Sequence, residues 1–572
     1  MLRNFALLSA TLSMGLLLSA QEPSSGTSGQ KPAPTAAAAL PTAPVAPKVV
    51  HSDPPIDDVI ENLINREHDE VANVTRMKPI VETYMQIEKR DKSLGMAPGS
   101  DFYFLGQASF GKEIKVKSLL AHTKTKSLMY SYYPSSFLSM AFVDPTDFDK
   151  KHYDFRYAGQ DFQGEFRCFI FDIHPLPKTK SSSQFNGRIW VESDGFNIVR
   201  INGSFSPDYH FSWTSLSEQY RFHFDSWRSN VRPGEWLPSY IYAQEVGRDR
   251  FLHGPMLKAQ TRLWGFHAGR DFREDEFTDL KIEAPVPIAD EGENHDRSPL
   301  EAVRLWRREA EENTLDALET DGLLAPVGPV EKVLNQIVTN IEVTNRLDDR
   351  VDLHCRVLLT SSFEMFSVEN TIILSRGLID VIPDENVMAV LLAEEVADAM
   401  MPKPYQDQYA FSDEVRVSTT EIMKKLSFED EKQETVENEA KALELISNSP
   451  YAGKLGKADL FFDQLRLQSK QLKQLISPRL GNQVMSVARA WNGEATLDPT
   501  DKDQIAALPL GSRIKLDPYD DSLEFLRTSS QPILSMREKM PFEVVPLYPY
   551  ATKYQAPQAA ETGSAVVSAG NH

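Results

Sequence analysis

The residues richest in chemistry are acids at helical spacing. Thr371 to Met400 reads TIILSRGLIDVIPDENVMAVLLAEEVADAM. A short β-branched run meets Ser375-Arg376-Gly377-Leu378, and Pro383-Asp384-Glu385 then starts an apolar helix that carries Glu394, Glu395 and Asp398. Glu394 and Asp398 stand at i and i+4, so both carboxylates fall on one helix face. Further on, Val436-Glu437-Asn438-Glu439-Ala440-Lys441 opens a second helix. Lys441 is at i+4 from Glu437, where an ammonium neutralises a carboxylate as a helix pair. Imidazole is scarce here. Between Cys355 and Gly570 there is no histidine, His572 sits in the tail, and between residues 320 and 480 there is only His354, well ahead of the strand. There is no Walker loop, no GxGxxG and no GxSxG. His223 on an aromatic strand reads as a structural histidine, and Arg304, Arg307 and Arg308 as a solvated helix face.

The order of this segment closely resembles the HtpX-like and BepA-like zinc metallopeptidases, over roughly residues 320 to 480. In that family an edge strand and "RGLL" lead to "VLAHExxH", and a later "ExEAD" helix supplies a glutamate ligand. Two histidines at i and i+4 then reach one tetrahedral zinc, and the intervening Glu activates the bound water. Here the resemblance implies a gluzincin fold whose HExxH is replaced by EExxD. Glu394 and Asp398 stand at the histidine positions, Glu395 at the general base and Glu437 at the third ligand. Lys441 replaces the Asp that normally orients a ligand histidine.

Three readings of these residues stay open. In the first, the fold is kept, the metal is lost and no cofactor is expected, so the domain binds or supports. In the second, Glu394, Asp398 and Glu437 form an all-oxygen cluster for a divalent metal such as calcium, magnesium or manganese, with Glu395 as base in a metalloendopeptidase. Without a cation, mutual repulsion there would raise at least one carboxyl pKa. In the third, the acids are a solvated helix face, although the run Val387 to Ala393 is apolar all round and argues for burial.

The elements around the acids are legible in outline. Residues 1–20 have a positive start, an apolar run from Phe5 to Leu18 and a small-residue exit at Ala20, which reads as a secretory signal. Residues 21–54, rich in Pro, Ala, Ser and Thr, and the tail 555–572 read as disordered. Apolar spacings of three and four predict a helical segment over 55–100. Alternation from 101 to 285 predicts a twisted antiparallel sheet with one face wet. A polar linker at 286–300 separates it from a helical domain at 301–490, and 491–554 is a mixed C-terminal region. Within the sheet, Phe185 to Gly203 and Val231 to Pro238 resemble the half-barrel of periplasmic lipoprotein carriers and their sensors, which often read "GxIWVD…IVRxxG". That resemblance implies a face able to hold acyl chains.

The expected fold class is therefore α+β and multidomain, with an antiparallel half-barrel sheet followed by a mainly helical metallopeptidase-like domain. Its 61 basic against 82 acidic residues give a net charge of -21, which repels phosphate backbones and excludes general nucleic-acid binding. The two cysteines, Cys168 and Cys355, make no disulfide framework. No segment after the signal is apolar enough to span a bilayer. The function expected is an exported, periplasmic or extracellular protein with a degenerate, inactive peptidase domain that binds or scaffolds an envelope protein or lipid. The alternatives are the carboxylate-metal peptidase and a carrier or sensor of lipid or lipoprotein.

Overall fold

In the computed structural model the described residues are 54–92, 95–111, 113–120, 134–177, 184–205, 222–246, 256–266, 312–347, 353–368, 370–400, 435–453, 455–477, 483–491, 493, 496–507, 514–516, 523–525, 536, 543–546 and 551–555. The signal, the 21–53 tether, the 286–300 linker, the three arginines and the tail beyond Gln555 lie outside them.

Ten strands form one antiparallel sheet. They are β1 (Ile80–Asp91), β2 (Gly95–Ser109), β3 (Lys115–Ser118), β4 (Tyr153–Gln163), β5 (Phe166–Pro175), β6 (Phe185–Glu192), β7 (Ile198–Phe205), β8 (Phe222–Arg232), β9 (Glu235–Glu245) and β10 (Met256–Trp264). The order is β3-β2-β1-β10-β9-β8-β7-β6-β5-β4, so the last strand returns to pair with the first. The hairpin expected at Ser193-Asp194-Gly195 is present. Glu192 accepts hydrogen bonds there from the Asp194 and Gly195 N–H groups, each at 2.8 Å. The two glycines of the carrier-like motif, Gly187 and Gly203, face each other across β6 and β7. A Cβ on Gly187 would lie 2.2 Å from the Asn202 carbonyl oxygen, so only glycine lets these strands close.

The helical expectation for 55–100 is half right. Helix α1 (Ile56–Val74) forms, but Ile80 onward is strand. The reason is that Ile80, Val81, Tyr84, Met85 and Ile87 fit helical spacing as well as strand alternation, while in the fold β1 is buried on both faces from Ile80 to Glu88. One face of the sheet packs on Val59, Ile60 and Leu63 of α1 and on Phe137, Leu138 and Met140 from helix α2 (Pro134–Leu138) and the 3₁₀ turn Ser139–Ala141. The other face is not wet. Tyr84, Tyr103, Trp227, Tyr240 and Tyr242 share one apolar core with the second half of the chain.

That second half holds helical residues 312–320, helix α3 (Pro329–Asn345) and a three-stranded sheet of order β11 (His354–Leu358), β13 (Thr371–Ser375), β12 (Met365–Val368). The strand Thr371–Ser375 is thus the middle of three and not an edge, as its complete burial requires. Next come α4 (Arg376–Val381), α5 (Glu385–Met400), α6 (Thr435–Ser447), α7 (Gly456–Gln468), α8 (Lys473–Ile476) and α9 (Gln483–Ala490). The unassigned C-terminal region contributes α10 (Lys502–Ala507), a two-stranded hairpin of β14 (Ile514–Leu516) and β15 (Leu523–Phe525), and stretches that lie on the large sheet. No helix among the described residues is long and apolar enough to cross a membrane.

Candidate functional site in the helical half

The turn from β13 into α4 is held by two residues of the Ser-Arg-Gly-Leu run. Ser375 Oγ accepts from the Leu378 N–H at 3.1 Å and caps α4, because an N-cap oxygen satisfies a donor the helix leaves open. Gly377 sits where a Cβ would be 2.0 Å from the Ser361 carbonyl oxygen. Asp384 caps α5 through the Asn386 and Val387 N–H groups at 3.0 and 3.1 Å, and Lys457 stands 3.2 Å from its carboxylate. These contacts hold the Asp384 pKa below the ordinary carboxylate value against the opposing effect of burial. Tyr451 donates to Glu385 at 2.8 Å and accepts from Asn340 at 3.1 Å, which ties α5 to α3.

On α5 the residues from Val387 to Ala393 are buried, while Glu394 and Asp398 are half-buried on one face, as their spacing requires. Glu394 lines a small, open cleft with Val390, Ala442, Leu443, Ile446, Val487 and Trp491. The walls come from α5, α6 and α9, so the cleft lies between the two helices singled out by the sequence. Glu395 is elsewhere. It is 2% exposed in the core, near enough to Cys355 to help burial push that thiol up to about 12. A thiol so shifted is no nucleophile at neutral pH. Burial likewise pushes buried Cys168 up to about 12.

Glu437 lies in the first turn of α6, and its side chain is outside the described set. Lys441 pairs with Glu444 at 3.0 Å, an i,i+3 contact, and the Glu437 pairing expected from the spacing lies outside the described residues. His354 opens β11 with an exposed side chain. His223 bonds Asn202 at 2.9 Å, the structural role read from its strand. Among the described residues no three His, Cys, Asp or Glu side chains are grouped to hold a metal.

Sequence reasoning missed a second set of functional-looking groups on the large sheet. Glu82, Tyr84, Gln86 and Glu88 alternate along β1 with Val81, Thr83, Met85 and Ile87. The first set faces the helical half and is buried there. Period-two polarity was the available signal, hidden because the segment reads as helix.

No protein-family model matches the chain, and no curated protein matches it. Among solved structures, the chain is similar to a DUF1329 family protein from Desulfovibrio piger (13% identity, TM-score 0.18, covering 37% of this chain and 92% of that one). It is also similar to a LolA superfamily protein from Nitrosomonas europaea (9%, 0.18, 36% and 90%). A third likeness is to the Pseudomonas aeruginosa MucA/MucB complex structure (10%, 0.12, 36% and 94%). Likenesses at these scores carry neither ligand nor partner over to this chain, whose fold stands on its own strand pairing.

Proposed function

We propose that this chain is an exported envelope protein that binds and does not cut, with a metallopeptidase-like half that has lost its zinc and keeps its cleft as a ligand seat. The observation that carries the reading is the position of Glu394. By the resemblance it stands where the metallopeptidase motif has a zinc histidine, and among the described lining residues it is the one acid on apolar walls that include Trp491. Oxygen donors alone suit hard cations better than zinc. A carboxylate on apolar walls suits a basic side chain with an aliphatic stem, which packs its methylenes and presents its charge. The favoured ligand is therefore a Lys- or Arg-bearing apolar segment of an envelope protein. The carrier reading is second, favoured by the phenylalanines of the α1-covered face, among them Phe169, Phe171, Phe185 and Phe224.

Titration of the purified chain separates these readings. Leucine-rich peptides bearing one arginine should bind saturably, and Glu394→Gln should weaken them about tenfold, the loss expected for one charge-assisted hydrogen bond. A fluorescent fatty acid that saturates unchanged in Glu394→Gln, with no peptide binding, would instead select the carrier. Stoichiometric metal with chelator-sensitive cleavage of unfolded protein would reject both.

A further inference from the structure

The junction between the large sheet and the helical half contains three polar sites in a row along β1, and among the described residues each holds a buried carboxyl that shares its cation or contacts none. At the first, Glu82 accepts from the Ser361 N–H at 2.6 Å, Ser361 Oγ at 2.7 Å, Tyr103 OH at 2.7 Å and Arg262 at 3.1 Å. Glu364, fully buried, lies beside it and accepts from Ser362 Oγ, and its second oxygen has no hydrogen-bond partner. Arg262 is the cation that bonds Glu82, and Arg376 lies close enough to feel the charges of both. Arg376 is half-exposed and stands 3.5 Å from Asp380.

At the second site Asp101 accepts from the Gln474 and Leu475 N–H groups at 3.0 and 2.8 Å and from Tyr84 OH at 3.3 Å. Gln86, its neighbour, donates to Tyr84 at 3.1 Å and accepts from the Val544 N–H at 2.7 Å. No cation contacts Asp101 in these bonds. At the third site Lys258 stands between Glu88, at 2.6 Å, and Glu543, and all three are buried. An ionised carboxylate without a cation is costly in such surroundings, and a proton is the cheapest neutraliser.

We infer that docking of the sheet onto the helical half is proton-linked: the junction closes around buried carboxyls that hold protons, so acid tightens it and alkali loosens it. Burial is the largest cause of each shift. It raises Glu364 to about 8, with Glu82 adding to the effect. It raises Glu88 to about 7 against the pull of Lys258, with Glu543 reinforcing it. It raises Asp101 to about 6 against its two backbone donors. All three are raised in the docked state, so docking takes up protons. Its stability is full below the ordinary carboxyl values of 3.8 and 4.5 and is lost as pH climbs through about 6 to 8. The linkage is independent of what the cleft binds.

Amide exchange on the full chain tests this directly. Protection at Ser361, Gln474 and Leu475, corrected for intrinsic base catalysis and taken relative to Ile201 within the sheet, should fall between pH 6 and 8. The expected fall is about tenfold per pH unit for each proton released. Glu364→Gln, which imitates the protonated acid, should remove about one proton from that slope, and Glu88→Gln serves if the first variant does not fold. An infrared band of protonated carboxyl should persist in the unaltered protein at pH 7. A protection ratio that is flat from pH 6 to 8, or the lack of that band, overturns the inference.

Discussion

The two faces of the large sheet are closed by opposite means. The α1 face is an apolar seal with one buried ion pair, in which Glu67 of α1 grips Arg228 at 2.7 and 2.8 Å. The other face mixes aromatic rings with charges; many of these are matched by specific partners, while Glu364 keeps one oxygen without a hydrogen bond. Arg200 is the extreme case: it is 0% exposed, bonds both oxygens of Asp225 at 2.7 and 2.9 Å, and lies between Trp190 and Trp227 at 4.4 and 4.6 Å. Polarity on a strand therefore does not mean water on that face. It can equally mean a second surface with complementary groups, and apolar seals tolerate variation that such matched surfaces do not.

The largest expected effect follows from that contrast. Arg200→Met leaves Asp225 buried without its cation, and breaking one side of a buried pair costs about 3–5 kcal/mol. Urea unfolding measures it. Restoring balance with Asp225→Leu in the same chain should recover most of the loss, since an apolar pair of similar volume is close to neutral. A small loss in the single variant would mean that Asp225 readily reaches water or a proton, and the contrast between the faces would weaken.

A middle-sized effect is expected at Gly377. An added methyl meets backbone, not a flexible side chain, at 2.0 Å from the Ser361 oxygen. Gly377→Ala should cost about 1–3 kcal/mol, the usual range for overpacking. Because Ser361 also binds Glu82 of the sheet, the variant should loosen the junction more than the α1 seal. Limited proteolysis that cuts both faces equally would count against a localised effect.

How much of this was legible depends on whether one element or two supply the reason. The β6–β7 hairpin was legible because alternation, the Ser193-Asp194-Gly195 turn and the paired glycines all lie in one short stretch. Helix α5 was legible because its apolar run and its Asp384 start are local. The same locality put Glu394 and Asp398 on one face before any coordinates. Glu395 was harder, since its burial beside Cys355 depends on β11, brought alongside by tertiary packing. The β1 stripe was missed for a different reason. Its period-two polarity is overlaid by apolar spacings that also fit a helix, and groups such as Gln474, Glu543 and Val544 that explain its polar side lie hundreds of positions away in the chain.

The smallest effect concerns Glu70 on α1, which sits beside the Glu67–Arg228 pair of the apolar seal. Glu70 is buried close to Arg228, Glu67 and Glu235, and its pKa is raised from 4.5 to about 7. Burial is the main cause. Arg228 pulls the other way, Glu67 and Glu235 push the value up, and Arg66 opposes them slightly. The folded value is above the unfolded one, so Glu70 binds its proton more tightly when α1 is docked. Its contribution is full below pH 4.5 and is lost as pH rises through 7. Glu70→Gln keeps the shape and removes the titration. Below pH 5 it should match the parent within about 0.5 kcal/mol, as a near-isosteric change does. At pH 8 it should be more stable than the parent by about 1 kcal/mol, well under the full linkage value because Arg228 and partial solvent access offset the penalty. Urea midpoints of the two proteins at pH 5 and pH 8 measure the difference. A variant that is less stable at pH 8 would mean that ionised Glu70 is favourable beside Arg228. The α1 seal would then rest on a three-membered charge network, and the difference between the two faces would be one of degree.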